Sequence, residues 1–224
     1  MSIDFQELRV KMVDGQIRTT DVTNIAILSA MLAMPREKFV PAGREPLAYI
    51  DEDIQIAPAL DGRAARYLME PSPFARLVQL IEIRPDDVIL DVGCGTGYSS
   101  AILSRLGASV VALESDAELA TRAREILPQV ECGNVTVVEG ALAAGHPAGG
   151  PYDVIFINGA VDTVPAALLD QLRDGGRLVA VIGVGNAARA MLYVKEEGVV
   201  SARHAFNAAL RPLDEFRVAP VFQF

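Results

Sequence analysis

The chain has 224 residues, of which 51% are hydrophobic and 22% charged, and it carries a formal net charge of −9. This length and composition fit one compact α/β domain with a modest extension, and they exclude a disordered chain. The acidic balance lacks the basic surface of proteins that neutralise phosphates, which excludes nucleic acid as the main partner.

The cysteines and histidines argue against a metal centre. Cys94 and Cys132 are not spaced as a metal pair, and His146 and His204 stand alone in the sequence, so we predict reduced thiols and no metal. No apolar run reaches the roughly 20 residues of a membrane span, and the N-terminus lacks the basic-then-apolar order of a signal peptide. We therefore expect a cytoplasmic protein with no membrane partner.

The N-terminal third of the chain has helical periodicity interrupted by helix breakers. Residues 3–14 and 21–33 are predicted helices, the second with Asp21 as its N-cap. Two prolines in residues 34–41 cannot continue a helix, which predicts a connector there. The weak alternation of residues 49–56 predicts only a short strand or an extended arm.

From residue 73 onward, helical and strand patterns alternate regularly. A helix at 73–83 precedes five strands separated by helices, and a stop after the last of these helices is predicted at residues 174–177. The predicted strands are 87–92, 109–114, 135–139, 152–158 and 177–182, and the helices between them are about 98–106, 116–127 and 165–173. This alternation is typical of a doubly wound parallel sheet.

The last part of the chain predicts a different strand arrangement. Residues 190–195 and 199–205 are two strand-like runs joined by a short turn, which favours an antiparallel hairpin. Residues 141–150, rich in Ala and Gly, are the predicted mobile loop. We predict a Rossmann-like, doubly wound, mostly parallel α/β sheet with N-terminal helices and a C-terminal antiparallel hairpin. Residues 1–72 form an appendage integral to the domain, and residues 73–224 form its core.

Residues 87–98 combine a strand, a tight turn and a helix start. Their apolar run is that of a strand buried on both faces, as parallel sheets require. Gly93, Gly95 and Gly97 then follow at alternate positions, and glycine lets the backbone adopt positive φ and approach a ligand closely. Because the helix that follows presents unpaired N–H groups, the turn is a nucleotide-sized cradle.

Two acidic residues indicate which nucleotide the cradle holds. A dinucleotide fingerprint has the spacing G-x-G-x-x-G, whereas here the spacing is G-x-G-x-G with Asp91 just before it. A carboxylate at that point would repel a pyrophosphate and attract the amino and sulfonium groups of S-adenosylmethionine. The next strand ends in Glu114, about 20 residues further on, where an acid can accept both ribose hydroxyls. The pattern resembles motif I of the Rossmann-like methyltransferases; the alternative is an ordinary glycine-rich turn with a helix-capping acid.

Blocks along most of the chain resemble the protein-L-isoaspartate O-methyltransferase family. Pro35, Arg36 and Glu37 followed by Phe39 are similar to its N-terminal signature. Further similar blocks are residues 12–17, 40–41, 48–51, 134–137, 152–155, 164–172 and 175–179. The resemblance implies transfer of a methyl group from S-adenosylmethionine to the free α-carboxylate of isoaspartyl residues in damaged peptides and proteins. Such a carboxylate is already nucleophilic at neutral pH, so alignment and water exclusion supply the rate.

The segment before the helix at 73–83 departs from the family pattern. The family has a stretch resembling Thr-Ile-Ser-Gln-Pro, with a hydroxyl beside the substrate carboxylate. Here Met69 stands at the serine position and Glu70 at the glutamine position, with Ser72 nearby. A thioether cannot donate a hydrogen bond, and an added carboxylate repels an anionic acceptor. Met69, Glu70 and Ser72 are therefore the candidate catalytic residues of the substrate segment.

The candidate cofactor-binding residues follow from the glycine turn and from the family resemblance. They are Asp91, Gly93, Cys94, Gly95, Thr96, Gly97, Tyr98, Glu114, Ser115, Gly140 and Ala141. Gly140 and Ala141 stand where the family has Gly-Asp-Gly, so the acid expected there is missing. Tyr98 either packs over the cofactor or faces the core. Arg63 and Arg66 are either surface charges or partners of a carboxylate.

Three hypotheses remain open at the level of sequence. The first is isoaspartyl methylation, and the second keeps S-adenosylmethionine but changes the acceptor, as Met69 and Glu70 suggest. The third is a binding protein without catalysis that works through a partner. The sequence leaves monomer and homodimer equally open.

Overall fold

The computed structural model of the protein describes residues 3–60 and 62–217. Within these ranges, a seven-stranded sheet has the order β5-β4-β3-β6-β7-β8-β9, and a separate pair, β1 and β2, lies apart from it. The pairs from β5 to β7 are parallel, whereas β8 and β9 are antiparallel. The predicted Rossmann-like sheet with a C-terminal antiparallel hairpin is confirmed.

The described elements alternate as the sequence predicts. The helices are α1 Phe5–Met12, α2 Ile25–Ala33, α3 Pro71–Leu80, α4 Tyr98–Leu103, α5 Ala117–Ile126 and α6 Ala166–Asp170. The strands are β1 Ile54–Ala57, β2 Arg66–Leu68, β3 Val88–Val92, β4 Ser109–Glu114, β5 Val135–Glu139, β6 Tyr152–Val161, β7 Leu172–Ile182, β8 Arg189–Glu196 and β9 Val199–Asn207. Among the described residues, no helix is long and apolar enough to cross a membrane.

The strand order places a crevice at one edge of the sheet. The chain leaves β3 for β4 and β5 on one side and returns as β6 and β7 on the other side. In such sheets, ligands bind outside the carboxyl ends of the strands where the order reverses. That point lies between β3, which the glycine turn follows, and β6.

The N-terminal region is packed onto the sheet rather than held apart from it. Its apolar residues belong to the same hydrophobic cluster as residues of α3, α4 and β6. Phe39 contacts Tyr98, Tyr98 contacts Phe74 and Phe74 contacts Phe156, with ring centroids 5.4–5.8 Å apart. The division at residue 72 stays a prediction, and the ends of its two spans, together with residue 61, lie outside the described residues.

Two predicted details differ from the structure. Asn24, not Asp21, caps α2: its side chain accepts from the N–H groups of Ala26 and Ile27, while Asp21 has a φ of 64° in the turn before it. Helix α6 ends at Asp170, and β7 begins at Leu172, so the stop precedes the predicted glycines. For α2, the hydrogen bonds of the turn decided between two polar residues that the sequence pattern treats alike.

The loop at 141–150 contains ordered hydrogen bonds. Gln171 accepts from the N–H of His146 at 2.8 Å and donates to the carbonyl of Ala144 at 2.8 Å. Tyr152 donates its hydroxyl to the carbonyl of His146 at 2.7 Å. The loop is therefore tied to α6 and β6, and its mobility stays a prediction.

Candidate functional site

The glycine turn joins β3 to α4 through backbone that a Cβ would strain. Gly93, Gly95 and Gly97 have φ values of 80°, 60° and 96°, a region that other residues rarely adopt. The N–H groups of Gly93 and Cys94 both donate to the carbonyl of Leu113 in β4, at 2.8 and 3.1 Å. The predicted positive-φ turn is therefore present and is fixed against the neighbouring strand.

Side chains from distant parts of the chain approach this turn closely. A Cβ added to Gly95 would lie 2.8 Å from Cδ1 of Ile56 in β1. A Cβ added to Gly93 would lie 3.3 Å from both Arg66 and Leu213. The space that side chains would take at Gly93 and Gly95 is thus filled by the protein itself.

Asp91 is a fully buried carboxylate in β3, below the glycine turn. One oxygen accepts hydrogen bonds from the hydroxyls of Ser99 and Ser100, each at 2.6 Å, while Oδ1 has no partner. Burial raises the pKa of Asp91 to about 6 despite these two hydrogen bonds. An unpartnered, buried carboxylate oxygen suits a cationic ligand group, because an ammonium would supply both the missing donor and the opposite charge.

Glu114 is the second buried carboxylate, at the end of β4. Arg66 binds both of its oxygens, with Nη1 at 2.6 Å from Oε1 and Nη2 at 2.9 Å from Oε2. The backbone N–H of Gly95 donates to Oε2 at 2.7 Å, and those of Ser115 and Asp116 donate to Oε1 at 2.9 and 3.0 Å. Because a buried carboxylate without partners is costly, these donors offset the cost of burying Glu114.

A cavity of about 430 Å³ opens beside Glu114. Its lining includes Arg63, Ser115, Asp116 and Leu142. Asp116 caps α5 by accepting from the N–H groups of Glu118 and Leu119. This volume is within the range of sites for a nucleoside-sized ligand.

Residues 140 and 141 lie at the same edge of the sheet. The N–H of Gly140 donates to the carbonyl of Glu114 at 3.0 Å, and two positions later Leu142 donates its N–H to the carboxylate of Glu215 at 3.0 Å. Ala141 lies between these two bonded residues. The structure thus brings the segment after β5 next to the buried acid at the end of β4.

A second, smaller cavity lies between the substrate segment and the end of β6. Its volume is about 20 Å³, and Arg66, Tyr67, Met69, Asn158 and Arg211 are among the residues that line it. Arg66 lines both cavities, so the two are neighbours. Leu213 also lines both cavities.

Asn158 links this small cavity to Asp91. Its side-chain amide donates to the hydroxyl of Ser99 at 2.8 Å, and Ser99 in turn donates to Asp91 at 2.6 Å. The chain of hydrogen bonds crosses from β6 to β3, which are paired in parallel. A ligand that contacts Asn158 would therefore be coupled to the buried carboxylate.

The three residues of the predicted substrate segment have different surroundings. Met69 is buried, and its carbonyl accepts from Arg36 at 2.6 Å. Glu70 donates its N–H to Asp53 at 3.0 Å, and burial, then nearby acids led by Asp53, raise the pKa of its carboxyl group. Ser72 bonds the hydroxyl of Thr20 at 3.1 Å. Only Met69 of the three lines the small cavity.

Several candidates next to the glycine turn contact the protein interior. Tyr98 packs between Phe39 and Phe74 and lies under the guanidinium of Arg36, 4.6 Å from its ring centre. The hydroxyl of Thr96 donates to the carbonyl of Phe39 at 2.6 Å. Of the two alternatives for Tyr98, the structure therefore supports the core.

Cys94 is enclosed in the same turn. Burial, then the charges of Glu114 and Asp91, raise the pKa of its thiol well above the ordinary value. A buried thiol of this kind stays protonated and unreactive. Both cysteines are free and buried, and among the described residues no group of His, Cys, Asp or Glu side chains is arranged to hold a metal ion.

Sequence reasoning missed three residues of the site. Asn158 lies in a strand pattern, Asp53 in a run of acids, and Arg211 near the C-terminus, where no motif marks it. Of the two alternatives for Arg66, a surface charge or the partner of a carboxylate, its contact with Glu114 supports the second. For Arg66, the signal in the sequence is its position just before the substrate segment, because a charged residue that is buried there needs an oppositely charged partner.

The fold and this site together define a class of protein. In the doubly wound sheet, β3 carries a buried acid and is followed by a G-x-G-x-G turn. The neighbouring strand, β4, ends in a buried glutamate. This is the arrangement of the Rossmann-like methyltransferases that use S-adenosylmethionine.

Comparison with known proteins gives the family. The family described as protein-L-isoaspartate(D-aspartate) O-methyltransferase matches residues 8–215, and the chain belongs to this family. A protein-L-isoaspartate O-methyltransferase of Koribacter versatilis is 38% identical over 213 residues, which cover 95% of this chain and 90% of the relative. Another from Methanoculleus marisnigri is 37% identical over 192 residues, covering 86% of this chain and 84% of the relative.

Solved structures agree with the fold. A protein-L-isoaspartate O-methyltransferase structure superposes with a TM-score of 0.79 at 27% identity, covering 91% of this chain and 65% of the other chain. This chain therefore spans slightly less than two thirds of that protein. A Plasmodium falciparum protein in complex with S-adenosyl-L-homocysteine gives a TM-score of 0.76 at 18% identity, covering 96% of this chain and 100% of the other. The second likeness concerns the fold alone.

Proposed function

We propose that this protein transfers the methyl group of S-adenosylmethionine to the free carboxylate of isoaspartyl residues in damaged peptides and proteins. Membership of the family and the names of its relatives support this activity. The observation that carries it in this chain is the adjacency of two sites. Arg66 binds Glu114 of the cradle and also lines the small cavity that Met69 lines.

The residues of the cradle fit the chemistry of the cofactor. The unpartnered oxygen of Asp91 would accept a hydrogen bond from the amino group of the methionine part. Gly93, Gly95 and Gly97 supply the positive-φ backbone of the turn that connects Asp91 to α4. Glu114 would accept the ribose hydroxyls, provided that Arg66 yields its place.

The adenosine part is assigned to the edge of the larger cavity. We place it beside Ser115, Gly140 and Ala141, because these residues border Glu114. Cys94, Thr96 and Tyr98 would shape the cradle through their backbone, since their side chains are buried in the interior.

The reaction needs little from the protein besides alignment. When bound, S-adenosylmethionine supplies an electrophilic methyl group on a sulfonium. An acceptor carboxylate held in line with this methyl group would receive it without a general acid or base from the protein. Met69 and Leu213 supply an apolar lining that excludes water, and the acceptor is oriented by polar groups of the small cavity.

A second candidate keeps the cofactor and changes the acceptor. Met69 stands where the family has a serine, and a thioether gives no hydrogen bond to a carboxylate. Glu70 adds a negative charge beside Asp53. These two observations favour a neutral or cationic acceptor over an anionic one if no other donor serves the carboxylate.

Methylation of an isoaspartyl peptide, compared with its normal aspartyl twin, tests the proposal. The proposed function predicts labelling of the isoaspartyl peptide alone. Equal labelling of both peptides, or labelling of neither, contradicts it. Calorimetry with S-adenosylmethionine and S-adenosylhomocysteine tests the cofactor separately, because the absence of heat at high micromolar ligand would remove both methyl-transfer candidates.

We also propose the setting in which the protein works. Its partners are isoaspartyl-containing peptides and proteins, without nucleic acid or membrane, and it acts in the cytoplasm as a monomer or homodimer. The net charge of −9 supports the exclusion of nucleic acid. Sedimentation analysis would decide between the two oligomeric states.

A further inference from the structure

Arg211 is held at the carboxyl end of β6 by its own backbone. Its carbonyl accepts from the N–H of Ala160 at 2.9 Å, and the N–H of Leu213 donates back to the carbonyl of Ala160 at 2.9 Å. Ala160 is a buried residue of β6, two positions after Asn158. The position of Arg211 relative to the crevice is therefore set by the sheet and does not depend on the side chain.

The side chain of Arg211 is fixed from two directions. Nε donates to Oδ2 of Asp53 at 3.1 Å, and the guanidinium lies 4.7 Å from the ring centre of Tyr67. Asp53 is itself anchored, because its other oxygen accepts the N–H of Glu70 at 3.0 Å. A stacked guanidinium with one fixed nitrogen has few remaining orientations, so little entropy is lost when it binds a ligand.

The terminal nitrogens of Arg211 remain available. Within residues 3–60 and 62–217 the guanidinium bonds only Asp53, through Nε, and its side chain is 59% exposed. The opposite holds for Arg66, the other cation that lines the small cavity in the described residues, whose terminal nitrogens are both bound to Glu114. Arg211 thus presents two parallel N–H donors, the geometry that pairs with a carboxylate.

Met69 lines the same small cavity as Arg211. The side chain of Met69 offers no donor to an acceptor carboxylate, and the guanidinium of Arg211 offers two. We propose that Arg211 binds the carboxylate of the methyl acceptor and supplies the hydrogen bonds that residue 69 cannot give. This inference rests on the proposed function, and it identifies the acceptor-binding residue of that site.

Asp53 has a positioning role in this arrangement. It orients Arg211 through Nε and leaves the terminal nitrogens for the acceptor, so the acceptor does not have to displace it. The surrounding acids, Asp51, Glu52 and Glu70, reduce the attraction for free anions, because they offset the charge of Arg211. Recognition then depends on the two-point geometry of a carboxylate that the peptide delivers into the cavity.

The binding test uses protein saturated with S-adenosylhomocysteine and a fluorescent isoaspartyl peptide. A comparator peptide carries a neutral amide in place of the free α-carboxylate. Wild type is expected to bind the carboxylate peptide about 10- to 100-fold more tightly than the amide peptide, the range for hydrogen bonds to charged groups. Arg211→Gln should abolish this preference by weakening carboxylate binding alone, and Arg211→Lys should restore only part of it, since an ammonium lacks the fork.

Arg203→Gln is the matched control, because Arg203 is an exposed arginine of β9 outside the crevice. It should retain the full preference, and all variants should keep the wild-type affinity for S-adenosylhomocysteine. In turnover, Arg211→Gln should raise KM for the isoaspartyl peptide and change kcat little, and Asp53→Asn should raise KM less. A preference that survives Arg211→Gln overturns the inference.

The outcome for wild type separates this inference from the proposed function. Binding of the carboxylate through Arg211 without methyl transfer would support the inference and overturn the proposed function. If wild type methylates the isoaspartyl peptide and Arg211→Gln keeps the full preference for the carboxylate peptide, the proposed function is supported and the inference about Arg211 is overturned. A wild-type protein that neither binds nor methylates the peptide would overturn both.

Discussion

Arg66 forms a two-point ion pair with Glu114 across the mouth of the glycine turn, with N–O distances of 2.6 and 2.9 Å. Glu114 is completely buried. The carboxylate that the sequence assigns to the ribose therefore already has an internal partner that imitates two hydroxyl donors. If Glu114 binds the ribose as we propose, the cofactor has to replace these two charge-assisted hydrogen bonds, and Arg66 competes for the site.

Replacing Arg66 should strengthen cofactor binding. In Arg66→Gln, the ribose hydroxyls no longer compete with the guanidinium, and we expect the Kd for S-adenosylhomocysteine to fall about 10-fold. The apoprotein should also lose thermal stability, since Glu114 keeps its backbone donors but loses its cationic partner. Isothermal titration calorimetry and thermal unfolding measure the two effects.

The control for this variant is Arg173→Gln. Arg173 forms an ion pair with Asp153 at 2.8 Å, outside the crevice, with half of its side chain exposed. Its loss should leave the Kd for S-adenosylhomocysteine unchanged. It should change the free energy of unfolding by no more than about 1 kcal/mol. Weaker cofactor binding in Arg66→Gln would mean that Arg66 holds the ligand rather than competes with it.

Asp91 should make stability depend on pH in a direction opposite to that of a paired carboxylate. Burial raises its pKa from 3.8 to about 6, so the folded state binds the proton more tightly than the unfolded state. The contribution of Asp91 to the free energy of unfolding is most favourable when the pH is below the pKa of the unfolded state. It is lost as the pH rises through the pKa of the folded state. The full difference corresponds to about 3 kcal/mol.

Comparison of Asp91→Asn with wild type isolates this effect. Between about pH 5 and about pH 8, wild type should lose about 1 to 2 kcal/mol of unfolding free energy relative to the variant. Urea unfolding at each pH measures the difference. The variant should also bind S-adenosylmethionine more weakly, because it lacks the charge that meets the amino group. A difference that does not change with pH would show that Asp91 is not perturbed by burial.

Restoring the family residues in the substrate segment should raise activity. Met69→Ser combined with Glu70→Gln adds a hydroxyl donor to the small cavity and removes a negative charge, so kcat/KM for an isoaspartyl peptide should rise about 10-fold. The radiometric methylation assay measures this change, with the aspartyl twin as the control peptide. An unchanged rate in a folded double variant would show that these two residues do not limit the reaction.

The acids beside the small cavity should select the residues that flank the acceptor. Asp51, Glu52 and Asp53 lie close enough to Glu70 to raise its pKa, after the larger effect of burial. An isoaspartyl peptide with flanking lysines should have a lower KM than one with flanking glutamates, and added salt should reduce the difference. The Glu70→Gln variant should also reduce the difference in KM between the two peptides. A preference for flanking glutamates would contradict this electrostatic argument.

The order of the elements could be predicted because each depends on local patterns. Continuous apolar runs identified the buried strands, and the alternating glycines identified the turn that links β3 to α4. The cap of α2 was predicted wrongly, because Asp21 and Asn24 are both good N-cap residues and only the backbone of the turn chooses between them. The sequence patterns therefore predicted the presence of helices and strands better than the residues at which they begin and end.

The sequence by itself determined the scaffold and the class of ligand. A strand, a turn with three glycines and two acids near strand ends lie within residues 88–114, so their arrangement follows from local geometry and the rules of parallel sheets. The family blocks, spread along the chain, added the activity. Both kinds of information are present in the residue order.

Only the tertiary structure decided which charges meet. Arg66 lies 48 positions before Glu114, and Arg211 lies 158 positions after Asp53. Contacts at such separations depend on how β2 and the segment after β9 fold back over the sheet, which no local pattern specifies. For this reason the sequence identified the cofactor cradle, whereas the partner of Glu114 and the free guanidinium beside Met69 emerged only from packing.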